Sequence, residues 1–278
     1  MPENTGKAPE TVTLKAKVLY YPFMGTNISP ERVVLLSRLC YSPLNIDQLE
    51  SLLHGDKPND EAAGKFIRGL IDSGHLGTLE HWYTTFAVEG YSRISSQQND
   101  RHRLLKMFKD AGVVFVNEAE QGSPDVSQMQ QSQRYVKEDN FRYVVPPSFH
   151  RKPEFLERFR KLQEEVVDIQ REGLAAGLPA EDVRFALTNA TETRFVITTN
   201  ARQLRHMFNL RCCQRAQWEI RALFTELLNE YKKIAPNIFY RAGASCDDLG
   251  YCPEGKMSCG RAPTLEALKE AYEKSRKH

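Results

Sequence analysis

The stretch ETRFVITTNARQLRHMFNLRCCQRAQWEIRALFTELLNEYKKI, residues 192–234, contains the transition that decides the fold. Its first nine residues are rich in β-branched and aromatic side chains, which predicts a β-strand. The ninth of these residues, Asn200, is the predicted helix N-cap, and the residues after it predict one helix of about 30 residues. A strand that feeds directly into a long helix indicates a mixed α and β architecture.

The N-terminal part of the chain also contains both predicted strands and predicted helices. Alternating residues predict a strand over 11–21, and β-branched and aromatic residues predict another over 81–90. A helix is predicted over 29–42, with Ser29 as N-cap and a proline at its first position. Another is predicted over 60–74, closed by a glycine. We expect the polar segment from Ser92 onward to be helical.

Further elements predict the rest of the fold. The segment 141–147 reads as a short strand stopped by two prolines, and 179–187 as a short helix. A long amphipathic helix is predicted over 153–177. Its expected apolar face is Phe155, Phe159, Leu162, Val166 and Ile169. Long helices with few strands predict the α+β class.

We expect a flexible tail over 1–10, one catalytic domain over 11–262, and a polar C-terminal helix and tail over 263–278.

Composition narrows the function classes. The 278 residues carry a net charge of +2, which does not favour a general nucleic-acid-binding surface. No apolar run approaches the roughly 18–20 residues of a membrane span, and no signal peptide is evident. We therefore expect a cytoplasmic protein with no membrane and no nucleic-acid partner. Six cysteines in a reducing compartment predict free thiols.

Arginine clusters at three places, 101–103, 151–160 and 202–221. Arg101, His102 and Arg103 form one of the most cation-dense spots in the chain. This triplet is either a solvated basic turn or a pocket for a phosphorylated ligand. In the long helix, Arg202 and His206 share one face, whereas Arg211 projects from roughly the opposite face. That pattern is typical of a solvated helix or of one with ligands on both sides.

Several common site motifs are absent from the sequence. It contains no glycine-rich phosphate loop, no HExxH and no convincing Ser-His-Asp order. Cys246, Cys252 and Cys259 lack standard zinc spacing, so we predict no metal. Cys212 and Cys213 are expected to be core thiols within the helix.

Five motifs in order resemble the flavin-dependent thymidylate synthase family, over roughly residues 14–262. They are the RHR triplet, Ser127 with QSQRYV, NATET, NLRCCQRAQWEIR, and SGH with EH at 73–75 and 80–81. The resemblance implies a homotetramer of α+β subunits with shared active sites and FAD at subunit junctions. It also implies methylation of uridylate at C5, with methylenetetrahydrofolate as carbon donor and NADPH as reductant.

The resemblance also implies roles for individual residues. The expected flavin-side residues are Arg101, His102, Arg103, Glu80, His81, Asn200, Arg202 and His206. The expected nucleotide-side residues are Gln98, Arg101, Gln130, Gln131, Ser132, Arg134, Arg184 and Arg211. Among these, Arg211 is expected to stabilise charge on the uracil ring. Arg211, His75 and Ser132 are the catalytic candidates, and we favour nucleotide binding over nucleophilic attack for Ser132 because no base is visibly paired with it.

The sequence departs from the family pattern beside the RHR triplet. Residues 104–126 are an insertion, with a helical start at LLKMFKDAG and a β-like VVFV. Asn99 and Asp100 stand where members usually carry apolar residues. These changes leave three interpretations open. The enzyme methylates dUMP; it methylates UMP, alone or with dUMP; or it is an inactive nucleotide- or RNA-binding homologue.

Overall fold

The computed structural model describes residues 8–54, 61–99, 106–109, 112–115, 126–133 and 141–276. For residues 106–109 and 112–115 it describes the backbone. The chain divides into two compact units. Unit 1 comprises residues 1–16, 87–102 and 128–196, and unit 2 comprises 17–86, 103–127 and 197–278.

Among the described residues, six strands form two sheets. A four-stranded sheet has the order β1-β2-β6-β5, and β3 pairs antiparallel with β4, so that Lys106 is opposite Phe115 and Lys109 is opposite Gly112. The strands are β1 (Lys15–Tyr20), β2 (Tyr83–Ser92), β3 (Lys106–Lys109), β4 (Gly112–Phe115), β5 (Val126–Gln130) and β6 (Glu192–Asn200).

Ten α-helices accompany the strands in the described part of the chain. They are α1 (Arg32–Leu35), α2 (Ile46–His54), α3 (Glu61–Asp72), α4 (Arg93–Ser96), α5 (Pro153–Ala175), α6 (Ala180–Val183), α7 (Ala201–Arg211), α8 (Trp218–Ile234), α9 (Ser245–Leu249) and α10 (Leu265–Ser275). Short 3-10 turns lie at Leu36–Cys40, Leu76–His81, Pro147–Arg151, Arg184–Ala186 and Gly255–Met257. No helix of the described residues has the length and apolarity needed to cross a membrane.

The core of unit 2 is aromatic. Trp82, Phe208, Tyr231 and Phe239 are fully buried, and their rings meet mostly edge to face. The Trp82 ring centroid lies 5.6 Å from that of Phe239 and 5.9 Å from that of Tyr231. The buried Tyr231 hydroxyl is 2.8 Å from Thr84 Oγ1, so its polar end is satisfied. This cluster packs α7 against α8 and against Trp82, and so fixes α7, which carries Arg202, His206 and Arg211.

Two buried charges tie distant segments of unit 2 together. The Glu31 carboxylate accepts hydrogen bonds from the backbone N–H groups of Asn237 and Ile238, at 2.6 and 3.1 Å. Arg205, on α7, donates to the carbonyls of Ile238 and Tyr240 and to Asp248. Burial lowers the pKa of Arg205, and the nearby Asp248 carboxylate opposes that shift. Paired in this way, both charges stabilise the segment that follows α8.

Unit 1 is built around α5. Val166 and Val167 pack in a buried cluster with Phe141 and Tyr143. Tyr143 also bridges to Thr11 and Thr191, so the predicted strand over 141–147 is reduced to isolated bridges before the prolines.

The predicted apolar face of α5 is partly wrong. Phe155, Leu162 and Ile169 are 53%, 46% and 45% exposed, whereas Gln163 and Gln170 are buried. Each buried glutamine makes one hydrogen bond there: Gln163 Oε1 accepts from Thr188 Oγ1, and Gln170 Nε2 donates to the Val183 carbonyl, whereas Gln163 Nε2 has no partner among the described residues. Hydrogen bonding to the α6 region therefore sets the rotation of this helix.

The predicted single helix after Asn200 is two helices. α7 ends at Arg211, residues 212–217 form turns, and α8 begins at Trp218. The Gln217 side chain caps α8 by accepting from the N–H groups of Glu219 and Ile220. Cys212 and Cys213 consequently lie at the end of α7 and not within a helix.

Two helical predictions around the insertion are also corrected. α4 has only four residues and is followed by a turn at 97–99. The LLKMFKDAG segment contains strand β3, which pairs with β4. A local antiparallel partner outweighs helix propensity here, and the β-like reading of VVFV is confirmed.

Candidate functional site

The N-terminal end of α7 is one part of the candidate site, within unit 2. Asn200 is buried, and its side chain accepts a 2.9 Å hydrogen bond from the N–H of Gln203, which confirms the predicted cap. The N–H of Ala201 donates to the Trp82 carbonyl at 2.8 Å. This bond holds the start of α7 beside the 3-10 turn Leu76–His81. Arg202 of α7 forms an ion pair with Glu80 of that turn.

Basic and imidazole groups are exposed on this part of unit 2. His75, His81, Arg202 and His206 are all on the surface. Exposed donors of this type suit a large anionic cofactor, because guanidinium and imidazole N–H groups bind phosphate and ring carbonyl oxygens. The residues present therefore fit a flavin dinucleotide. Asn200 is the exception, since its side-chain oxygen is already used by the helix cap.

A shallow groove lies beside His75. It has a volume of about 290 Å³ and is lined by residues of α3 together with Tyr41 and His75. The Tyr41 and His75 rings meet edge to face with centroids 6.3 Å apart. The groove places an exposed imidazole next to an aromatic wall, which is suited to a flat ring system.

The C-terminal end of α7 opens onto a deeper cavity. Arg211, the last residue of α7, lines a cavity of about 290 Å³ together with the 212–217 turn and the segment after α9. Two other arginines of this cavity are paired with carboxylates. Arg215 bonds Glu254 at 3.1 Å, and Arg261 bonds Asp247. The cavity thus combines three guanidinium groups with two acidic partners.

Four of the six cysteines line this same cavity: Cys213, Cys246, Cys252 and Cys259. All six thiols are free. No group of three or more His, Cys, Asp or Glu side chains among the described residues is arranged to hold a metal ion. Burial raises the pKa of Cys246, and it raises the pKa of the neighbouring Cys212 to about 12. These shifts favour neutral thiols, which are poor nucleophiles.

Gln130 anchors the candidate residues of unit 1. Its Nε2 donates to Ser96 Oγ and to Thr193 Oγ1, both at 2.9 Å. Ser96 belongs to α4, and the N–H of Gln98 donates to Ser95 on the same helix. Gln130 and Gln98 are therefore connected through α4. The next residue, Gln131, is fixed by its backbone N–H, which donates to the Arg194 carbonyl at 2.8 Å.

Of the other predicted nucleotide- and flavin-side residues, the structure describes two and does not describe four. Ser132 follows directly on this segment and is half-buried. Arg184 lies on the 3-10 turn after α6, where its Nε donates to the Glu181 carbonyl at 3.0 Å. The other four lie outside the described residues: Arg101, His102, Arg103 and Arg134.

A buried carboxylate in unit 1 was not anticipated from the sequence. Glu192 accepts bonds from both Arg142 Nε and Nη2 at 2.7 Å, and from the N–H of Gly90 at 2.8 Å. Gly90 is required there, because a Cβ would lie 1.8 Å from the Thr13 carbonyl oxygen. The glutamate opens strand β6, and only the NATET motif drew attention to it. The shared cavity of Arg211 and the four cysteines was likewise not evident from sequence spacing.

The fold and these residues define an α+β enzyme with polar and cationic sites on two units. The family model described as "Thymidylate synthase complementing protein" matches residues 25–237. The chain belongs to the flavin-dependent thymidylate synthase family, a methyltransferase type of enzyme, as its motifs predicted.

Two relatives illustrate the similarity. A flavin-dependent thymidylate synthase of Clostridium tetani is 36% identical over 276 residues, covering 93% of this chain and 98% of the relative. One of Geobacter sulfurreducens is 41% identical over 238 residues, covering 85% of this chain and 91% of the relative.

A solved structure has a similar fold. It is the UMP/dUMP methylase PolB from Streptomyces cacaoi bound with 5-Br dUMP, with a TM-score of 0.62 and 17% identity. The match covers 83% of this chain and 94% of that one. It confirms the predicted α+β fold.

Proposed function

We propose that this protein methylates C5 of a uridine monophosphate, with dUMP as the first candidate substrate and dTMP as product. Methylenetetrahydrofolate donates the carbon, NADPH is the reductant and FAD is the cofactor. The observation that carries the proposal is the arrangement of α7. Its N-terminal turn presents exposed Arg202 and His206 beside Glu80, and its last residue, Arg211, lines a separate cavity.

The cofactor side is assigned to exposed donors. Arg202, His206 and His81 would hold the phosphates and ring oxygens of FAD, together with Arg101, His102 and Arg103. Glu80 would orient Arg202 through their ion pair. Asn200 would act through the helix cap, which fixes the direction of α7.

The nucleotide side is assigned to amides, hydroxyls and guanidinium groups. Gln98, Gln130, Gln131 and Ser132 would bind the sugar and base, and Arg134 and Arg184 would bind the phosphate. Gln130 Nε2 donates two hydrogen bonds, to Ser96 and Thr193, and its amide cannot rotate without losing both. This fixed orientation supports a role in positioning the nucleotide.

Arg211 would bind the uracil edge. A guanidinium at a carbonyl oxygen stabilises negative charge that develops on the ring when C5 acts as a nucleophile. Overall, the C5 hydrogen is replaced by a methyl group, methylenetetrahydrofolate becomes tetrahydrofolate and NADPH becomes NADP⁺. Bound FAD would supply the hydride that completes the methyl group. His75 would face the folate ring, as its exposed imidazole and aromatic groove allow.

Three further features belong to the same proposal. The active enzyme is a homotetramer with shared active sites. It is cytoplasmic and has small-molecule partners, a nucleotide and a folate. Residues 11–262 act as one catalytic domain, and the 104–126 insertion lies near the substrate loop.

A second candidate function is methylation of UMP. PolB, which shares the fold, is named as a methylase of both UMP and dUMP.

The role of Arg211 is tested by Arg211→Ala. We expect turnover of uridylate to be lost, because the charge on the ring is no longer stabilised, while bound FAD is retained as judged by its visible absorbance. Arg158→Ala, at an exposed position of α5, is the matched control and should keep full turnover. Turnover by Arg211→Ala near that of the control would contradict the uracil-edge role.

A further inference from the structure

Helix α5 carries a line of exposed apolar side chains that takes no part in the proposed chemistry. Phe155, Leu162 and Ile169, the α5 stripe, are seven residues apart in the sequence. Phe155 and Ile169 each project within about 20° of Leu162 around the helix axis, and the stripe is about 21 Å long. All three side chains are exposed, although the same helix buries Gln163 and Gln170. A continuous apolar surface of this kind indicates a site of association.

The α5 stripe is fixed in place within unit 1. The Phe155 ring meets that of Phe149 edge to face, with centroids 4.7 Å apart. On the adjoining side of the helix, Val166 packs in the buried cluster with Phe141. Because α5 cannot turn the stripe inward without exposing Val166, the stripe is a permanent feature of the surface of this unit.

The charges of this segment are divided between its two ends. Residues 151–161 carry five cationic and two acidic side chains, whereas residues 163–172 carry one cationic and four acidic side chains. The dipole of a helix favours the opposite arrangement, with acidic groups at the N-terminal end, so this distribution does not stabilise α5 itself. It is complementary to an antiparallel copy of the same helix, because each basic half then lies beside an acidic half. A parallel copy would place like charges together.

We infer that α5 packs antiparallel against α5 of a second copy of this chain, about a two-fold axis at Leu162. The two Leu162 side chains then meet each other, and Phe155 of each copy lies beside Ile169 of the other. A two-fold contact uses the same patch on both copies, as a self-complementary stripe requires. A seven-residue apolar spacing is typical of helices that pack side by side at about 20°. This inference rests on the proposed homotetramer, for which it places one two-fold interface.

Cysteine cross-linking tests the position of the axis. Leu162→Cys, Ile169→Cys and Glu157→Cys are each treated with a short bismaleimide, and the linked peptides are identified by mass spectrometry, which separates them from links between native thiols. Glu157 is the matched control, since it is exposed on α5 and projects about 140° from Leu162. We expect a 162-to-162 link and no 157-to-157 link. We expect no 169-to-169 link, because the two copies of this position would be about 21 Å apart along the helices.

Three results would overturn the inference. Equal linking at 162 and 169 would indicate parallel helices. A tetramer without a 162-to-162 link would place the interfaces elsewhere and would leave both the homotetramer and C5-methylation intact. A thiol at 162 that neither cross-links nor reacts with a monofunctional maleimide would show that another part of the chain or another molecule covers the stripe.

A second variant keeps the inference testable if Leu162→Cys does not fold. Leu162→Arg would bring two guanidinium groups together at the axis, whereas Glu157→Arg adds the same group away from it. Analytical ultracentrifugation should give Leu162→Arg half the mass of the wild type at concentrations where Glu157→Arg keeps the wild-type mass. An unchanged mass for Leu162→Arg would overturn the inference. A wild type that sediments as a monomer would overturn the homotetramer as well, whereas a cross-linked protein that methylates no uridylate would overturn only the proposed chemistry.

Discussion

At the scale of single residues, the buried charges of unit 2 show which side chains hold the structure together. Glu31 is 2% exposed, and it is more than 200 residues away along the sequence from Asn237, whose backbone N–H it binds. No periodicity or motif marks such a contact, because it depends on the tertiary fold. Sequence analysis singled out Arg202, which is exposed, yet passed over the buried Glu31 and Glu192.

Glu31→Ala is expected to lower the free energy of unfolding by about 3 kcal/mol, because the N–H groups of Asn237 and Ile238 lose their buried acceptor. Glu230→Ala is the control, since its ion pair with Lys233 is exposed and is worth less than about 0.5 kcal/mol. Chemical denaturation of both variants measures the difference. Similar losses for the two variants would contradict the assigned role of Glu31.

The thiols should differ in reactivity. With a pKa of about 12, Cys212 carries about one thiolate in ten thousand molecules at pH 8, and the thiolate is the reacting form. Cys40 and Cys259 are exposed. Iodoacetamide at pH 8 should therefore label Cys40 and Cys259 well before Cys212, as followed by peptide mass spectrometry on the folded protein. Early labelling of Cys212 would show that the end of α7 is open to solvent.

At the scale of elements, local signals succeeded at some helix ends and failed at others. The predicted helix over 29–42 with Ser29 as N-cap is wrong: α1 begins at Arg32, after Glu31, and gives way to a 3-10 turn at Leu36. Asn200 as a cap and Gly74 as a stop were predicted because their chemistry is local, and Gly74 has a left-handed φ of +78°. The break between α7 and α8 has no glycine, proline, serine or asparagine to mark it. It is stabilised by the Gln217 cap, and this residue is uncommon as an N-cap.

Substitutions at Asn200 distinguish its role as the N-cap of α7 from direct contact with the flavin. Asn200→Ala should lower the free energy of unfolding by about 1 kcal/mol, whereas Asn200→Asp should retain it, since aspartate also caps. If the residue acts on the flavin only through the direction of α7, Asn200→Asp should also keep its flavin affinity. Thermal melts and flavin titrations measure both quantities. Loss of flavin binding in a stable Asn200→Asp variant would indicate direct contact with the cofactor.

At the scale of the whole molecule, the family and the α+β class were predictable because several motifs occur in order along nearly the entire chain. The internal rotation of α5 and the cavity shared by Arg211 and four cysteines were not, because both depend on which surfaces meet after folding. The substrate was only partly predictable from the sequence. The motifs indicate a uridylate, but the sugar is read by a few polar groups whose partners only the folded chain defines.

The measurement that tests the central claim most directly is a paired turnover assay. The purified protein is given FAD, NADPH and methylenetetrahydrofolate with either dUMP or UMP, and the nucleotide product is identified by mass spectrometry. We predict that a uridylate gains one methyl group at C5, and only when folate and NADPH are both present. A folded, flavin-loaded protein that leaves both nucleotides unchanged would contradict the claim.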